Sequence, residues 1–325
     1  MRLFSCPACN ATAFFSNMTC VCGAELMFDP VQHGFKVNVP ACANRAEIRC
    51  NWAAEAEGAG FCRSCAMTKV IPDAFRGDNR MLWASAEASK RWVLATLARW
   101  GWFTTEDAGQ SPEFHLLSEN TASGPAVVVM GHANGLVTIN LAEADPVEEV
   151  RRREALSERL RTMTVHFRHE IAHFLFERLT ASRPEFPDAF RAIFGDERED
   201  YGEALKRHYA NGPPAGWADQ FITPYASSHA HEDWAETAAH VMHLTDMLDS
   251  AVASKLLLPP LNNLDYDAYA EQNPDPLIDA AASYGVALNH VIRAMGHDDI
   301  YPFVHKPVVR AKLVAAHGWL SGFAA

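Results

Sequence analysis

The sequence of 325 residues lacks any apolar run near the ~20 residues that a helix needs to cross a bilayer. Its start, MRLFSCPACN, lacks the apolar core of a secretion signal, so we expect a cytoplasmic protein with no membrane segment. Basic residues are also few, since 28 Lys and Arg stand against 40 Asp and Glu. The resulting formal charge of −12 argues against a general nucleic-acid-binding protein.

Several common catalytic patterns are missing as well. The chain has no internal repeat, no glycine-rich phosphate loop and no convincing Ser/His/Asp arrangement. A length of 325 residues indicates two domains, or one domain with a small module. We expect a cysteine-rich module over residues 1–75 and a catalytic domain over residues 80–325.

No cysteine follows residue 65, and all eight cysteines lie within the first 65 residues. In a reducing cytosol such a cluster is more often metal-binding than disulfide-bonded. The spacing gives two sets of four thiols, each able to form a closed tetrahedral zinc site. The sets are Cys6, Cys9, Cys20 and Cys22, then Cys42, Cys50, Cys62 and Cys65.

Gly23 suits the tight backbone of a zinc knuckle after the first set. The Cys20-x-Cys22 spacing is one residue shorter than in the usual ribbon, which leaves open how tightly that site holds zinc. Redox-active or iron–sulfur cysteines are the alternative. So few residues cannot fold by apolar burial alone, so metal would supply folding free energy. Because Lys and Arg are sparse before residue 66, we expect this module to bind a protein partner, or to be purely structural, rather than to bind nucleic acid.

The stretch His166–Leu179, HFRHEIAHFLFERL, has the apolar character of a buried helix with one functional face. Within it His169 and His173 stand four residues apart, one helical turn on the same face. Two imidazoles so placed can bind one Zn²⁺, and Glu170 then lies beside a water on that ion as general base. Two histidines on an apolar helix can equally be ordinary core residues, so a third ligand decides the matter.

A second helix is predicted over Pro224–Asp246, where Glu232, Glu236 and two histidines form one stripe on an otherwise apolar surface. Carboxylates in such surroundings are costly unless paired or metal-bound. We interpret Glu232 as the third zinc ligand and Glu236 as the acceptor that orients a ligand histidine. The reverse assignment, with Glu236 as the ligand, stays open.

The two segments HFRHEIAH and YASSHAHEDWAET resemble the gluzincin pattern of zinc peptidases, and the second is similar to the ligand helix of anthrax lethal factor. The whole chain is similar to a bacterial family of zinc-binding metallopeptidases with an N-terminal zinc-ribbon region. The resemblance implies a gluzincin catalytic domain, peptide or protein substrates, and a tyrosine seven residues before the ligand glutamate that stabilises the oxyanion. That tyrosine is Tyr225 here.

The fold predicted is α+β, a zinc-ribbon module followed by a mainly helical zincin-like domain with a small antiparallel sheet. Strands are expected at Glu113–Leu117, Ala126–His132 and Leu136–Leu141, the last two joined by a turn at Asn134-Gly135. Besides the two ligand helices, helices are expected over Ser85–Trp100, after an N-cap at Asp145 with a break near Ser157, around Pro276–Met295 and over Lys306–Leu320. By the same resemblance Val137–Ala142 would form a sheet edge that pairs with extended substrate; it can also be an ordinary half-buried strand.

The function expected is therefore zinc-dependent peptide hydrolysis by Glu170-assisted attack of zinc-bound water, with one catalytic and two structural zinc ions. One alternative is a ribbon-based protein-binding module whose hydrolase half is inert or a scaffold. Another is a zinc hydrolase for a non-peptide amide. The sequence does not identify the substrate.

Overall fold

The computed structural model describes residues 1–55, 60–156, 160–256, 263–299 and 305–322. The chain forms two compact units, Met1–Phe167 and Arg168–Ala325. The predicted α+β class is confirmed by the helices and short strands of these residues. The domain bounds expected from the sequence, residues 1–75 and 80–325, stay a prediction.

The first unit begins with two short antiparallel hairpins around an aromatic centre. Phe28 is completely buried there. The rings of Phe4, Phe15 and Phe35 meet it edge-on, with centroids 5.4, 4.9 and 5.6 Å away. So small an apolar centre agrees with the expectation that metal sites stabilise this region. The strands are β1 (Phe4–Ser5), β2 (Thr12–Ala13), β3 (Met27–Asp29) and β4 (Gly34–Lys36).

A four-stranded sheet follows, in the order β5-β6-β10-β9. Strand β10 pairs in parallel with β6 and antiparallel with β9, so the sheet is mixed rather than antiparallel as predicted. The buried side chains of Val137 and Ile139 alternate along β10, as one core-facing sheet face requires. The strands are β5 (Thr68–Val70), β6 (Glu113–Leu117), β7 (Asn120–Thr121), β8 (Gly124–Pro125), β9 (Gly131–Ala133) and β10 (Leu136–Asn140).

The predicted turn at Asn134-Gly135 is confirmed, since both residues have positive φ angles of 50° and 81°. Two other expectations are wrong. The strand predicted over 126–132 is reduced to β9, because Val127 and Val129 are exposed and pair with no strand in the described sheet. The continuous sheet edge expected over Val137–Ala142 is also wrong, because β9 covers Val137 and Thr138 while Leu141 and Ala142 belong to a 3₁₀ turn; Ile139 and Asn140 pair with β6.

Two helices of the first unit, α3 (Asn79–Leu97) and α4 (Pro146–Leu156), lie where the sequence patterns predict helices. The helix predicted over Ser85–Trp100 begins earlier and ends in a 3₁₀ turn, after which Gly101 takes a φ of 86°. Asp145 caps the next helix by accepting from the amides of Val147 and Glu148 at 2.8 and 3.1 Å, as predicted. A helix break expected near Ser157 lies outside the described residues. The helices are α1 (Arg45–Ile48), α2 (Arg63–Met67), α3 (Asn79–Leu97) and α4 (Pro146–Leu156).

The second unit is helical in its described residues. Its aromatic core centres on Trp234, which is completely buried and meets the rings of Phe186 and Phe194 at 5.4 and 5.7 Å. Its last two helices lie within two residues of their predicted ends. The helices are α5 (Met163–Ser182), which starts at the end of the first unit, then α6 (Phe186–Phe194), α7 (Tyr201–Asn211), α8 (Ala230–Ala253), α9 (Pro274–Ala294) and α10 (Pro307–Ser321). None of the helices described combines the length and apolar character that crossing a bilayer requires.

Candidate active site and cysteine clusters

Helices α5 and α8 bring three predicted ligands together. His169 and His173 lie one turn apart on α5, with their Nε2 atoms 3.1 Å apart. Glu232 lies in the first turn of α8, and its Oε2 is 3.1 Å from Nε2 of His169 and 3.4 Å from Nε2 of His173. Two nitrogens and one oxygen from separate helices therefore face a common point.

This donor set fits zinc. Bonds of about 2.1 Å in a tetrahedron separate ligand atoms by about 3.4 Å, close to the three distances seen here. Glu232 is 1% exposed, and its Oε2 accepts no hydrogen bond from the residues described. Burial alone would raise the pKa of Glu232, but His173 and His169 lower it well below its usual range. The carboxylate is thus ionised and directed at two imidazole nitrogens.

Glu236 lies one turn further along α8 and contacts Nδ1 of His169, the ring nitrogen that does not face Glu232. Its Oε1 is 2.7 Å from Nδ1 of His169. Burial would raise the pKa of Glu236, but the hydrogen bond from His169 lowers it. An ionised acceptor at Nδ1 fixes the proton there and leaves the Nε2 lone pair for a metal. The structure therefore gives Glu232 rather than Glu236 the position facing both imidazoles.

Polar bonds fix the register of the two ligand helices. The indole Nε1 of Trp234 donates to the carbonyl oxygen of Ala172 at 2.8 Å. Arg168 donates to Asp246 at 2.7 Å and also contacts Nδ1 of His243. These contacts lie beside the ligand positions in sequence, so they hold the two helix faces in one alignment.

Glu170 and Tyr225 complete the predicted catalytic residues. Glu170 is 7% exposed and lies on α5 between the two histidines. Tyr225 opens the 3₁₀ turn Tyr225–Ser228, with its ring centroid 6.1 Å from that of His169. Burial and the charge of Glu232 raise the pKa of Tyr225, so its hydroxyl keeps its proton. A neutral donor thus lies at the edge of the imidazole pair.

Two residues of this site were not among those predicted from the sequence. Tyr201, at the start of α7, donates its hydroxyl to Oε1 of Glu232 at 2.6 Å. His231 lies with its ring 4.5 Å from that of Phe176 and 6.5 Å from that of His173, and burial lowers its pKa to about 4. No sequence periodicity connects Tyr201 with the ligands, so no signal could have identified it. His231 is adjacent in sequence to Glu232, but it is one of several histidines in that stretch and no pattern distinguishes it from the others.

The first cysteine set comes together in the N-terminal hairpin region. The Sγ atoms of Cys9 and Cys20 are 3.6 Å apart, and those of Cys6 and Cys22 are 3.9 Å apart. A tetrahedral zinc with bonds of about 2.3 Å would separate its sulfurs by about 3.8 Å. Gly23 takes a φ of 87°, as the knuckle requires. Cys9 and Cys22 are exposed.

The second set is buried at all four positions. Sγ of Cys50 lies 3.6 Å from that of Cys62 and 3.8 Å from that of Cys65. The amide of Cys62 points at the sulfur of Cys42 at 3.3 Å, as in a metal knuckle. All eight cysteines are free, and these separations far exceed the ~2.05 Å of a disulfide. Both quartets and the His–His–Glu group are thus geometrically able to hold a metal ion.

Comparison with known proteins gives the family. Residues 79–319 match the family described as "Putative zinc-binding metallo-peptidase". The chain belongs to this family. A zinc-ribbon domain matches residues 33–76, which include the second cysteine set but not the first. The predicted recognition of a zinc-binding metallopeptidase with an N-terminal ribbon is confirmed.

Relatives of this chain occur in mycobacteria. An uncharacterized protein of Mycobacterium bovis and one of Mycobacterium tuberculosis are each 38% identical to it over 324 residues. The match covers 98% of this chain and 94% of each relative. No solved structure gives a significant match, so the likeness to anthrax lethal factor stays a prediction from the motif.

Proposed function

We propose that this protein is a zinc-dependent peptidase of the gluzincin type, with His169, His173 and Glu232 as the metal ligands. The observation that carries the proposal is the convergence of Glu232 Oε2 on both imidazole nitrogens, at 3.1 and 3.4 Å. Zinc bound there would polarise the substrate carbonyl and lower the pKa of a bound water towards ~7.

Glu170 acts as the general base in this proposal. Its carboxylate removes a proton from water as the water oxygen bonds to the carbonyl carbon of the peptide. The same carboxyl group then gives that proton to the amide nitrogen as the carbon–nitrogen bond breaks. Its place on α5 between the two histidines, with little exposure, supports this role.

Two further residues assist the reaction. Tyr225 donates its hydroxyl proton in a hydrogen bond to the substrate oxyanion, a role supported by its protonated state beside His169. Glu236 accepts from Nδ1 of His169 and so orients that ring. Tyr225 and Glu236 belong to the same segment as Glu232, so one short stretch of the chain supplies three of the residues assigned to the site.

The cysteine quartets would hold two structural zinc ions. Their sulfur separations, from 3.6 to 3.9 Å, match a tetrahedral thiolate site. We propose that residues 1–75 form a module that docks a protein partner, that residues 80–325 form the peptidase domain, and that the protein acts in the cytoplasm on peptide or protein substrates.

The decisive experiment compares wild type with Glu170→Gln against a broad peptide library. We expect the variant to keep three zinc ions per chain while hydrolysis falls by at least ~10²-fold, since it loses general acid–base catalysis. Glu177→Gln is the matched control, because Glu177 lies exposed on the same helix. Loss of zinc together with activity would place Glu170 among the ligands, and a wild type that cleaves no peptide would favour the ribbon-based binding protein or an amidase.

A further inference from the structure

The two oxygens of Glu232 have different partners. Oε2 faces the imidazoles of His169 and His173, whereas Oε1 accepts a hydrogen bond from the hydroxyl of Tyr201 at 2.6 Å. Tyr201 lies 31 residues earlier, on helix α7, outside the segments HFRHEIAH and YASSHAHEDWAET.

This bond constrains how the carboxylate can bind a metal. A carboxylate can coordinate through one oxygen or both, and a hydrogen bond to Oε1 uses one of its lone pairs and draws electron density from it, so Oε1 becomes the weaker ligand atom. A hydroxyl donating to a buried carboxylate at 2.6 Å is a short, charge-assisted bond and is costly to break. Glu232 therefore offers Oε2, which accepts no hydrogen bond from the residues described, as its better ligand atom.

The position of Tyr201 is itself held by His229, the residue at the start of α8. His229 caps α8, and its Nδ1 accepts from the amide of His231 at 3.1 Å. Its Nε2–H therefore donates to the carbonyl oxygen of Glu199 at 3.1 Å. The ring of His229 also meets that of Tyr201 edge-on at 5.3 Å. The segment before α7 is thereby held against the helix that carries Glu232.

Helix α7 itself contributes little to the core, because Ala204 is its one buried residue. The start of α7 contacts the ligand helix through the Tyr201–Glu232 hydrogen bond and meets its N-cap residue through the Tyr201–His229 ring contact. Whatever strengthens that bond also favours the docking of α7, and the reverse holds by linkage.

We propose that Tyr201 is a positioning residue that holds Glu232 in one-oxygen coordination and so raises the affinity of this site for zinc. The inference rests on the proposed function only in requiring that the three ligands bind zinc. It does not depend on which bond the enzyme cleaves.

The test measures zinc affinity by competition with a chelator in the full-length protein whose ribbons keep their zinc. We expect Tyr201→Phe to weaken the catalytic site by about 10–100-fold, the range typical for loss of an outer hydrogen-bond partner. The phenylalanine keeps the ring that contacts His229, so folding should be retained. Tyr266→Phe is the control, because Tyr266 lies in the segment that precedes α9, far in sequence from α7 and from the three ligands.

A second measurement separates positioning from a general structural effect. In a Glu232→Ala background, Tyr201→Phe should change zinc affinity no further, because its target is gone. Equal affinities for wild type and Tyr201→Phe, or the same loss in both backgrounds, would overturn the inference while leaving the proposed function intact. A wild type that binds no zinc at this site would overturn both.

Discussion

Two of the three proposed ligands form a hydrogen bond with a neighbouring side chain that is not itself a ligand. That bond determines which atom of the ligand is available to the metal. Glu236 fixes the proton of His169 on Nδ1, and Tyr201 occupies Oε1 of Glu232. In each case the remaining atom, Nε2 or Oε2, is left for zinc. The geometry therefore selects single donor atoms, as a site with an open coordination position requires.

Tyr225 differs from Tyr201 because its proposed role is in the reaction and not in zinc binding. We expect Tyr225→Phe to lower kcat by roughly 10²–10³-fold, the usual cost of removing one oxyanion donor. The zinc content and the KM should stay close to those of wild type, since the phenylalanine keeps the ring beside His169. Steady-state kinetics on the best library peptide, with zinc measured on the same sample, give the test.

Tyr266→Phe provides the control, because Tyr266 lies in the segment that precedes α9, outside the residues assigned to catalysis. If Tyr225→Phe retained full kcat, the oxyanion role carried over from the gluzincin pattern would be wrong. Loss of zinc in that variant would instead assign Tyr225 to the support of the ligands.

Helix periodicity explains why the sequence is informative about α5 and α8. His169 and His173, like Glu232 and Glu236, are four residues apart, so each pair must share a helix face. Helix formation depends largely on neighbours within a few residues, and the apolar positions around these polar ones indicate that both helices are buried. The amino-acid sequence alone therefore places these four site residues in two pairs.

Contacts between distant segments cannot be placed in this way. Tyr201 meets Glu232 across 31 residues, and nothing in the sequence around it distinguishes it from Tyr209. The order and relative direction of the strands could not be predicted for the same reason. That β10 lies between β6 and β9 depends on the register of strands distant in sequence, whereas the local signal at Asn134-Gly135 indicates only the turn.

The two cysteine quartets differ in exposure, and this difference predicts an order of metal release. Cys9 and Cys22 of the first quartet are exposed, whereas Cys50 and Cys62 of the second are completely buried. Thiol reagents react only with accessible sulfur. An organomercurial should therefore release one zinc quickly and a second slowly, as followed with a metal-sensitive dye, while the zinc of the His–His–Glu group is untouched.

Cys9→Ser should remove the fast phase and leave the slow one, which assigns the fast phase to the first quartet. Release of both ions at one rate would contradict the difference in accessibility. Absence of the fast phase in the wild type would mean that the short Cys20-x-Cys22 knuckle holds no zinc.

Across the whole molecule acidic residues outnumber basic ones by twelve. A buried carboxylate is nevertheless costly unless a basic group lies beside it. Glu143 is the clearest case in the first unit, at 2% exposure. It accepts from Arg152 at 2.8 Å and from Arg161 at 2.7 Å, and His166 lies 3.4 Å away. These groups join the turn after β10 to α4 and to the start of α5.

This network makes stability depend on pH in one direction. Burial would raise the pKa of Glu143, but His166 and the two arginines lower it far below the ~4.3 of an unfolded chain. A carboxyl group with a lowered folded-state pKa stabilises the fold above the unfolded pKa, and that contribution is lost as the pH falls below it. Glu143→Gln should therefore lower the urea midpoint of unfolding at pH 7, and the difference from wild type should shrink as the pH is taken from about 5 to about 3.

Glu154→Gln is the control, because Glu154 lies exposed on α4 and should follow the wild-type curve at every pH. Comparing differences between variants cancels the loss of zinc and the general charge repulsion that all of these proteins share in acid. If the Glu143→Gln difference stayed constant over the whole acid range, the network would act through packing rather than through the charge of Glu143. Acid unfolding would then have to originate at other carboxylates, of which the buried Asp246 beside Arg168 is the nearest equivalent in the second unit.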